Sequence, residues 1–558
     1  MGKKQGLSRR NFLTGAAVGT AAVAGAGFLT ACASEEPGSA STADSGTWDK
    51  EADVVVAGSG SGMAAAVCAI SKGCSVIVCE KSHMVGGSTL LSGGGGWFPN
   101  TRYSQEHGDS RELALTYLQQ IAEGQSTDAI IETFVDRADE ILEVIATNSD
   151  IVWKAGTVYG DYHPEWEGGL PFGRACSPVS EGAEAGAPLI TGLQTAIEEN
   201  GNEILTETPV TKLITRENGN GVVEVIGVEA EDVDGNTLRI KANKGVVLAT
   251  GGFEWDEELK THFLRGKVEF NISVPGGTGD ALRMCMGLGA DLRNMNECWG
   301  HSCYKAPNEG TLEAGHFATI GLMYDRAKPG SIIVNSNGER YHNEACDYDT
   351  WQRAQCGWNT WGNNGYSSFP SYFICDQQFV ERYGINQIDM TIGKTGPGIV
   401  DENAISADSI EELAEKIGVP VDALKNTVDR FNTNAKNGVD PDFHRGESYF
   451  DRAFMSDMGE YFEWAVIEAT LGAVENPPYY AMECTTGTLG TCGGPRVNEN
   501  AQVMHVSGEV IPRLYCTGNA SSIGAPGASY AGAGGTLGPA ITFGGIAALH
   551  AADLESWQ

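Results

Sequence analysis

Positive charge is scarce in this 558-residue chain: 37 lysines and arginines stand against 73 aspartates and glutamates, a formal net charge of −36. Such an excess repels phosphate backbones and anionic membrane surfaces, so nucleic acid is excluded as a main partner and a polyanionic substrate fits poorly. The acidic excess itself reads as a solvated surface that keeps the protein soluble. Cysteine spacing excludes more. None of the 14 cysteines forms a CxxC or CxxCH pattern, which removes the usual spacings of iron–sulfur, zinc and covalent haem sites, and no metal is expected. They lie in apolar contexts such as Ala66-Val67-Cys68 and Ile77-Val78-Cys79, which predicts mostly buried free thiols. With 41% hydrophobic and 20% charged residues the chain is not wholly disordered. Its length suits roughly two to four domains, or one large doubly wound core with insertions.

The apolar stretch from Gly15 to Ala31 is too rich in alanine and glycine to make a good membrane anchor. It follows Ser8-Arg9-Arg10-Asn11-Phe12-Leu13, the pattern of a twin-arginine export signal. Leu29-Thr30-Ala31-Cys32 at its end resembles the lipobox of bacterial lipoproteins. The expectation is therefore a signal over 1–32, a lipid anchor at Cys32, a flexible tether over 33–50, and residence on the outer face of the cytoplasmic membrane. The twin-arginine route carries folded proteins, which hints at a bound prosthetic group. No NADH is available outside, so the electron partner would be a membrane or soluble carrier.

Glycine is abundant, with 74 copies in short runs that lack a three-residue period; this excludes collagen and points to close backbone approaches. From Ala52 the pattern is a buried strand to Ala57, a glycine turn at Gly58, Gly60 and Gly62, a helix from Met63 to Ser71 and a second strand from Ser75 to Cys79. That βαβ unit ends on Glu80, at the spacing where a dinucleotide-binding fold sets the carboxylate for ribose hydroxyls. Met63 takes the third glycine position of GxGxxG, with Gly62 one place early. The helix N-terminus would hold a pyrophosphate.

A second glycine loop follows at once, Gly86-Gly87-Ser88-Thr89, where NAD enzymes usually enter another helix. It resembles FAD enzymes of the fumarate reductase and ketosteroid dehydrogenase superfamily, as do Gly245 to Gly252, with Gly251 and Gly252 closing a strand, and Pro275 to Ala281, where Asp280 opens a helix. Thr208-Pro209-Val210 leads into strands at 222–230 and 237–241, the pattern of a small β-meander. Near the end, Arg513 to Cys516 runs into a turn at Gly518 and Asn519, and Thr536 and Leu537 open an apolar helix whose N-terminus would face the flavin. The resemblance implies an α/β protein: a discontinuous Rossmann-type FAD-binding domain with a β-meander insertion (51–290 and 474–558), and an inserted α+β catalytic, capping domain (291–473). With no attachment motif, the FAD would be non-covalent.

Three segments look more narrowly like the 3-ketosteroid Δ1-dehydrogenase family: Tyr159 to Glu165 with Gly173-Arg174, Pro329 to Asn335 continued by Arg340 to Tyr348, and Ser529 to Ala540. The resemblance implies that Tyr530 and the backbone N–H of Gly534 hold a C3 carbonyl, that Tyr348 abstracts the proton and that Tyr162 assists it. The chemistry suits these residue types: two neutral donors stabilise an enolate-like oxygen, and a tyrosinate base needs its pKa lowered from about 10 by a neighbouring hydroxyl and positive potential. The implied substrate is a 3-oxo steroid or similar enone, dehydrogenated or reduced in ring A. One alternative is a fumarate reductase-like enzyme of a small unsaturated carboxylate, with Arg326, His301 and His316 as ligands, Arg340 being assigned to its turn; another is a non-catalytic flavin-containing binding lipoprotein.

Overall fold

The computed structural model describes residues 46–157, 160–179, 186–218, 221–305, 321–358, 365–386, 388–389, 394–454, 456, 467–524, 526–527 and 529–557. The export signal, Cys32, Tyr159 and His316 lie outside them. No described helix is long and apolar enough to cross a membrane.

The chain enters through β1 (Lys50–Ala57), α1 (Gly62–Ile70) and β2 (Val76–Cys79). Val54, Val55 and Val56 are all fully buried, as expected of a central parallel strand covered on both faces. A short β3 (Gly96–Trp97) follows, then α2 (Asp128–Thr147) and β4 (Glu203–Leu205). The meander is β5 (Val210–Arg216), β6 (Glu224–Glu231) and β7 (Thr237–Leu248). Two predicted strands are here one: β7 is both the last meander strand and the neighbour of β1. A register shift opposite Ala52 and Val54 absorbs the polar pair Asn243 and Lys244, so the strand continues past them.

The middle of the chain supplies β8 (Phe270–Asn271), β9 (Cys298–Tyr304), β10 (Ser331–Asn335), α3 (Tyr348–Gln355), β11 (Ser371–Asp376), β12 (Ile405–Ala407) and β13 (Tyr479–Thr491). The end supplies β14 (Gln502–Met504), β15 (Val510–Cys516) and α4 (Leu537–Ala552). One eight-stranded sheet has the order β14-β15-β7-β1-β2-β4, with β6 on β7 and β5 on β6. The other, six-stranded, has the order β8-β13-β11-β10, with β9 and β12 also on β13. The expected domain limits therefore shift. β8 lies before residue 290 and β13 after 474, yet both pair in the second sheet, because β13 is the long strand on which that sheet is built.

The tether expected through residue 50 also ends early. Asp49 N donates to Arg239 O at 2.9 Å, and Trp48 meets Trp557 edge-on at 6.3 Å under the Arg239 guanidinium. Inside the first sheet's helical layer, α4 is buried on all sides except at His550. An apolar helix of this kind must be covered all round, and small residues permit it: a Cβ on Gly545 would stand 2.7 Å from Ile141 of α2.

Candidate active site

β1 stops at Gly58 because the chain must turn beside the end of β7: its φ is +103°, and a Cβ there would lie 2.2 Å from Ala249 O. α1 then begins after Ser61 without a side-chain cap; Met63 N and Ala64 N turn back to Gly60 O and Ser61 O at 3.3 and 3.1 Å, and the glycine turn ahead of them is where a helix start receives an anion. Glu80 does more than end β2. Its Oε2 accepts from Ser59 N at 3.0 Å and Ser59 Oγ at 2.6 Å, and Ser59 Oγ in turn accepts from Gly86 N at 2.9 Å. One buried carboxylate thus ties the first glycine turn to the second.

These groups border a cavity of about 560 Å³. Gly58, Gly60, Glu80, Gly87 and Ser88 line it, with Val210, Gly251 and Asp280 from the meander and the following loop. The C-terminal segment adds Gly518, Asn519, Thr536 and Leu537, and Tyr348, Tyr530 and Gly534 line the same space. Four expected residues stand behind the wall. Gly62 lets α1 pack on Val56 and Ala249, Gly86 takes a φ of +115° against Leu90 and Ile190, Gly252 backs onto Thr491, and Tyr162 sits beneath Tyr348.

Sequence reasoning missed Lys81 and Glu254, which also line the cavity. Lys81 Nζ bonds Asp280 Oδ2 at 2.7 Å and Thr278 Oγ1 at 2.8 Å. Its signal was its place directly after Glu80. Glu254 is 2% exposed; Oε1 accepts from Ser273 Oγ at 2.7 Å while Oε2 has no partner, and burial pushes its carboxyl upward. A glycine-lined cradle, an uncapped helix start and a buried carboxyl oxygen still lacking a partner fit a large cofactor with phosphates and ring hydrogen-bonding groups.

The tyrosines form one cluster. Tyr348 opens α3 behind the N-cap Asp347, whose carboxylate accepts from Thr350 N at 2.9 Å. Tyr162 Oη donates to Tyr348 Oη at 2.5 Å. Ring centroids are 5.4 Å apart for Tyr162 and Tyr348, 5.2 Å for Tyr162 and Tyr530, and 5.3 Å for Tyr348 and Tyr530. Trp299 meets Tyr530 edge-on at 5.2 Å and donates its Nε1 to Asn519 Oδ1 at 3.0 Å, joining the cluster to the C-terminal turn. Gly534 has a φ of +85° and its carbonyl accepts from Trp97 N at 2.9 Å.

The lowered tyrosine pKa expected of a base is not found. Burial first, then the neighbouring phenols, push Tyr162 and Tyr348 well above the usual range, and burial also raises Tyr530. The carboxylate ligands of the alternative are engaged elsewhere. Arg326 bonds Ser302 Oγ at 3.2 Å and the carbonyls of Glu344 and Cys346; Arg340, assigned to its turn and not to the ligands, pairs with Glu344 and Asp440. His301 is buried and held neutral, pushed down to about 3.

The FAD binding domain family matches residues 53–537. This chain belongs to it. FAD is accordingly its cofactor, and the protein is an FAD-dependent oxidoreductase acting on CH–CH bonds. The 3-oxosteroid 1-dehydrogenase of Mycobacterium tuberculosis (strain ATCC 25618 / H37Rv) is 32% identical, covering 90% of this chain and 99% of its own. The 4-oxocyclohexanecarboxylate 2-dehydrogenase of Sinomonas cyclohexanicum is 32% identical over 89% and 92%. Among solved structures, 3-ketosteroid delta1-dehydrogenase from Sterolibacterium denitrificans, in complex with 1,4-androstadiene-3,17-dione, superposes with a TM-score of 0.81 at 29% identity, covering 90% of this chain and 100% of that one. The fold expected from the glycine loops is this one.

Proposed function

We propose that this protein introduces or removes a double bond beside a ring ketone, with a 3-oxo steroid or similar flat enone as substrate. One observation carries the proposal: Tyr348, Tyr530 and Gly534 line the same cavity as the FAD-binding loops. The names of the relatives support it, since steroid and cyclohexanone dehydrogenases alike act beside a ring carbonyl. In the dehydrogenating direction Tyr530 Oη and the Gly534 N–H hold the ketone oxygen as negative charge develops on it. Tyr348, ionised, takes the proton from the adjacent carbon and becomes a neutral phenol, and Tyr162, already bonded to it, steadies the phenolate before the transfer. FAD, when bound non-covalently, supplies the acceptor for the hydride from the neighbouring carbon, or its donor in reverse. The cluster also excludes water, being made of buried rings.

The deciding experiment mixes anaerobically reduced protein with 3-oxo steroids, cyclic enones, fumarate and urocanate. Reoxidation by the ketones supports the proposal; reoxidation by fumarate or urocanate alone refutes it. A non-catalytic binding protein would show no substrate-dependent change in flavin absorbance. Acid precipitation should release all yellow colour if the flavin is non-covalent.

We further propose export by Arg9 and Arg10 and a lipid anchor at Cys32, with electrons exchanged with a membrane or soluble carrier. Arg9→Lys with Arg10→Lys should trap the protein inside, whereas Cys32→Ala should release it in soluble form.

A further inference from the structure

Beneath the tyrosines lies a set of buried charges with no part in the chemistry above. Arg174 is fully buried, as are the carboxylates of Asp109 and Asp161 on either side of it, each at 2.6 Å. Its guanidinium also donates to Gly168 O at 3.0 Å and stands 5.6 Å and 5.4 Å from the ring centres of Trp97 and Tyr117. Asp161 is saturated by three donors: Trp97 Nε1 at 2.7 Å on one oxygen, Arg174 and Leu170 N at 2.8 Å on the other.

Stability alone is a poor reason for such an arrangement. Desolvating three charges costs as much as their attraction returns, and well-packed apolar side chains of similar volume do as well or better. A buried ionic cluster of this kind does impose one geometry. Here it is imposed on the loops that carry the site. Asp161 is the residue before Tyr162, and its backbone bridges Gly532 antiparallel. On either side of that bridge Tyr162 N donates to Ala531 O at 3.1 Å and Ala533 N to Gly160 O at 3.2 Å. Tyr117 Oη donates to Ala531 O at 2.6 Å and accepts from His163 N at 3.2 Å. Trp97, whose indole holds Asp161, uses its backbone N–H to hold Gly534 O. The close fit leaves no slack: a Cβ on Gly532 would come within 2.6 Å of the Trp97 ring.

We infer that Asp161, gripped by Arg174 and Trp97, is a positioning residue that fixes Tyr162 under Tyr348 in register with Tyr530 and Gly534. The inference deepens the reading of the site under Proposed function and rests on it for the role of each tyrosine. Displacing the loop by a fraction of an ångström would disturb the Tyr162–Tyr348 pair, while the FAD loops stay in place.

Two variants test it on the holoenzyme. Trp97→Phe removes one hydrogen bond to Asp161 and keeps an aromatic ring; Asp161→Asn removes the charge that Arg174 holds. Each should slow hydrogen exchange at the carbon beside the ketone by at least about tenfold with flavin content unchanged. Adding Trp97→Phe to Tyr162→Phe should cost nothing further, because the first acts through the second residue; additive losses would reduce the cluster to a merely structural role and overturn the inference. A readout free of turnover uses 3-fluorotyrosine at position 162. Its ¹⁹F resonance should be single in the parent and shifted or split by either variant, while a probe at Tyr479 stays unchanged. An unmoved resonance at 162 overturns the positioning role whatever the substrate. Failure of the parent to act on any ketone, with the resonance shifted as expected, overturns only the substrate reading. If Asp161→Asn does not fold, Trp97→Phe alone decides.

Discussion

Tyr162 gives its hydroxyl hydrogen to Tyr348 across 2.5 Å while the two rings cross at 79°. In this arrangement one phenol is donor and the other is acceptor, so negative charge arising on Tyr348 is met by a hydrogen bond already in place. Tyr348→Phe should abolish hydrogen exchange beside the ketone and leave FAD bound. Tyr162→Phe should slow the exchange without abolishing it. Tyr530→Phe should weaken both binding and rate, by about 1.5–3 kcal/mol where its hydrogen bond strengthens with developing charge. Stopped-flow flavin absorbance and solvent-deuterium incorporation measure these effects separately.

The raised tyrosine pKa values give the two reaction directions different pH profiles. A proton acceptor must first be ionised, and with Tyr348 above the usual phenol range its ionised fraction rises about tenfold per pH unit through neutrality. Dehydrogenation should therefore accelerate steadily from pH 6 to 9. Reduction uses Tyr348 as a proton donor, which is fully protonated over that range, and its rate should stay flat. An acid-side plateau in dehydrogenation below pH 7 would contradict the raised phenol.

Two buried carboxylates should pull stability in opposite directions. Glu344, buried among Arg340 and Arg445, sits at about 2, its charges outweighing its burial. Its contribution is complete above the ordinary glutamate range near 4.5 and is lost as the pH falls toward 2. Asp451 is raised to about 6, mainly by burial, despite hydrogen bonds from Asn343 and Gly446. Its contribution is complete below 4 and lost as the pH rises through 6. Asp451→Asn should flatten the melting temperature between pH 4 and 6, and Arg340→Met should destabilise the fold by up to about 3–5 kcal/mol, since it takes the guanidinium from Asp440 and leaves Glu344 with Arg445 alone.

Thiol reactivity offers a simpler check. All 13 described cysteines are free, and 11 of them are buried; burial raises Cys68, Cys79, Cys176, Cys285 and Cys298 to about 12. A thiol reagent at pH 8 should find none of these reactive until the chain unfolds. A fast thiol in the native protein would have to be Cys32 in unmodified form or one of the half-buried Cys346 and Cys356.

Much of this was legible because it is local. The Val54 to Val56 run, the turn at Gly58 and the strand before Glu80 lie within one βαβ unit, and each tyrosine sits in its own short motif. The flanking of Asp161 by Trp97 and Arg174 was not legible, because its donors are 64 and 13 residues away and Asp109 is 65 residues from Arg174. Periodicity carries no trace of such pairings. The fusion of β7 escaped for a different reason: Asn243 and Lys244 look like a break, and a bulge with carbonyl bonds to distant residues such as Arg513 keeps the strand whole. The upward phenol shifts came from burial of all three rings together, which no single motif reveals.

The first sheet closes with β15 lying against β7, and α4 supplies the last side of the cavity. On the ribosome the glycine turn at Gly58 is made long before Gly518, Asn519, Thr536 and Leu537 emerge. Cofactor capture must wait for these later residues. A chain that stalls before Leu537 lacks the closing side of its cofactor site, so yellow colour reports synthesis past that residue as well as folding.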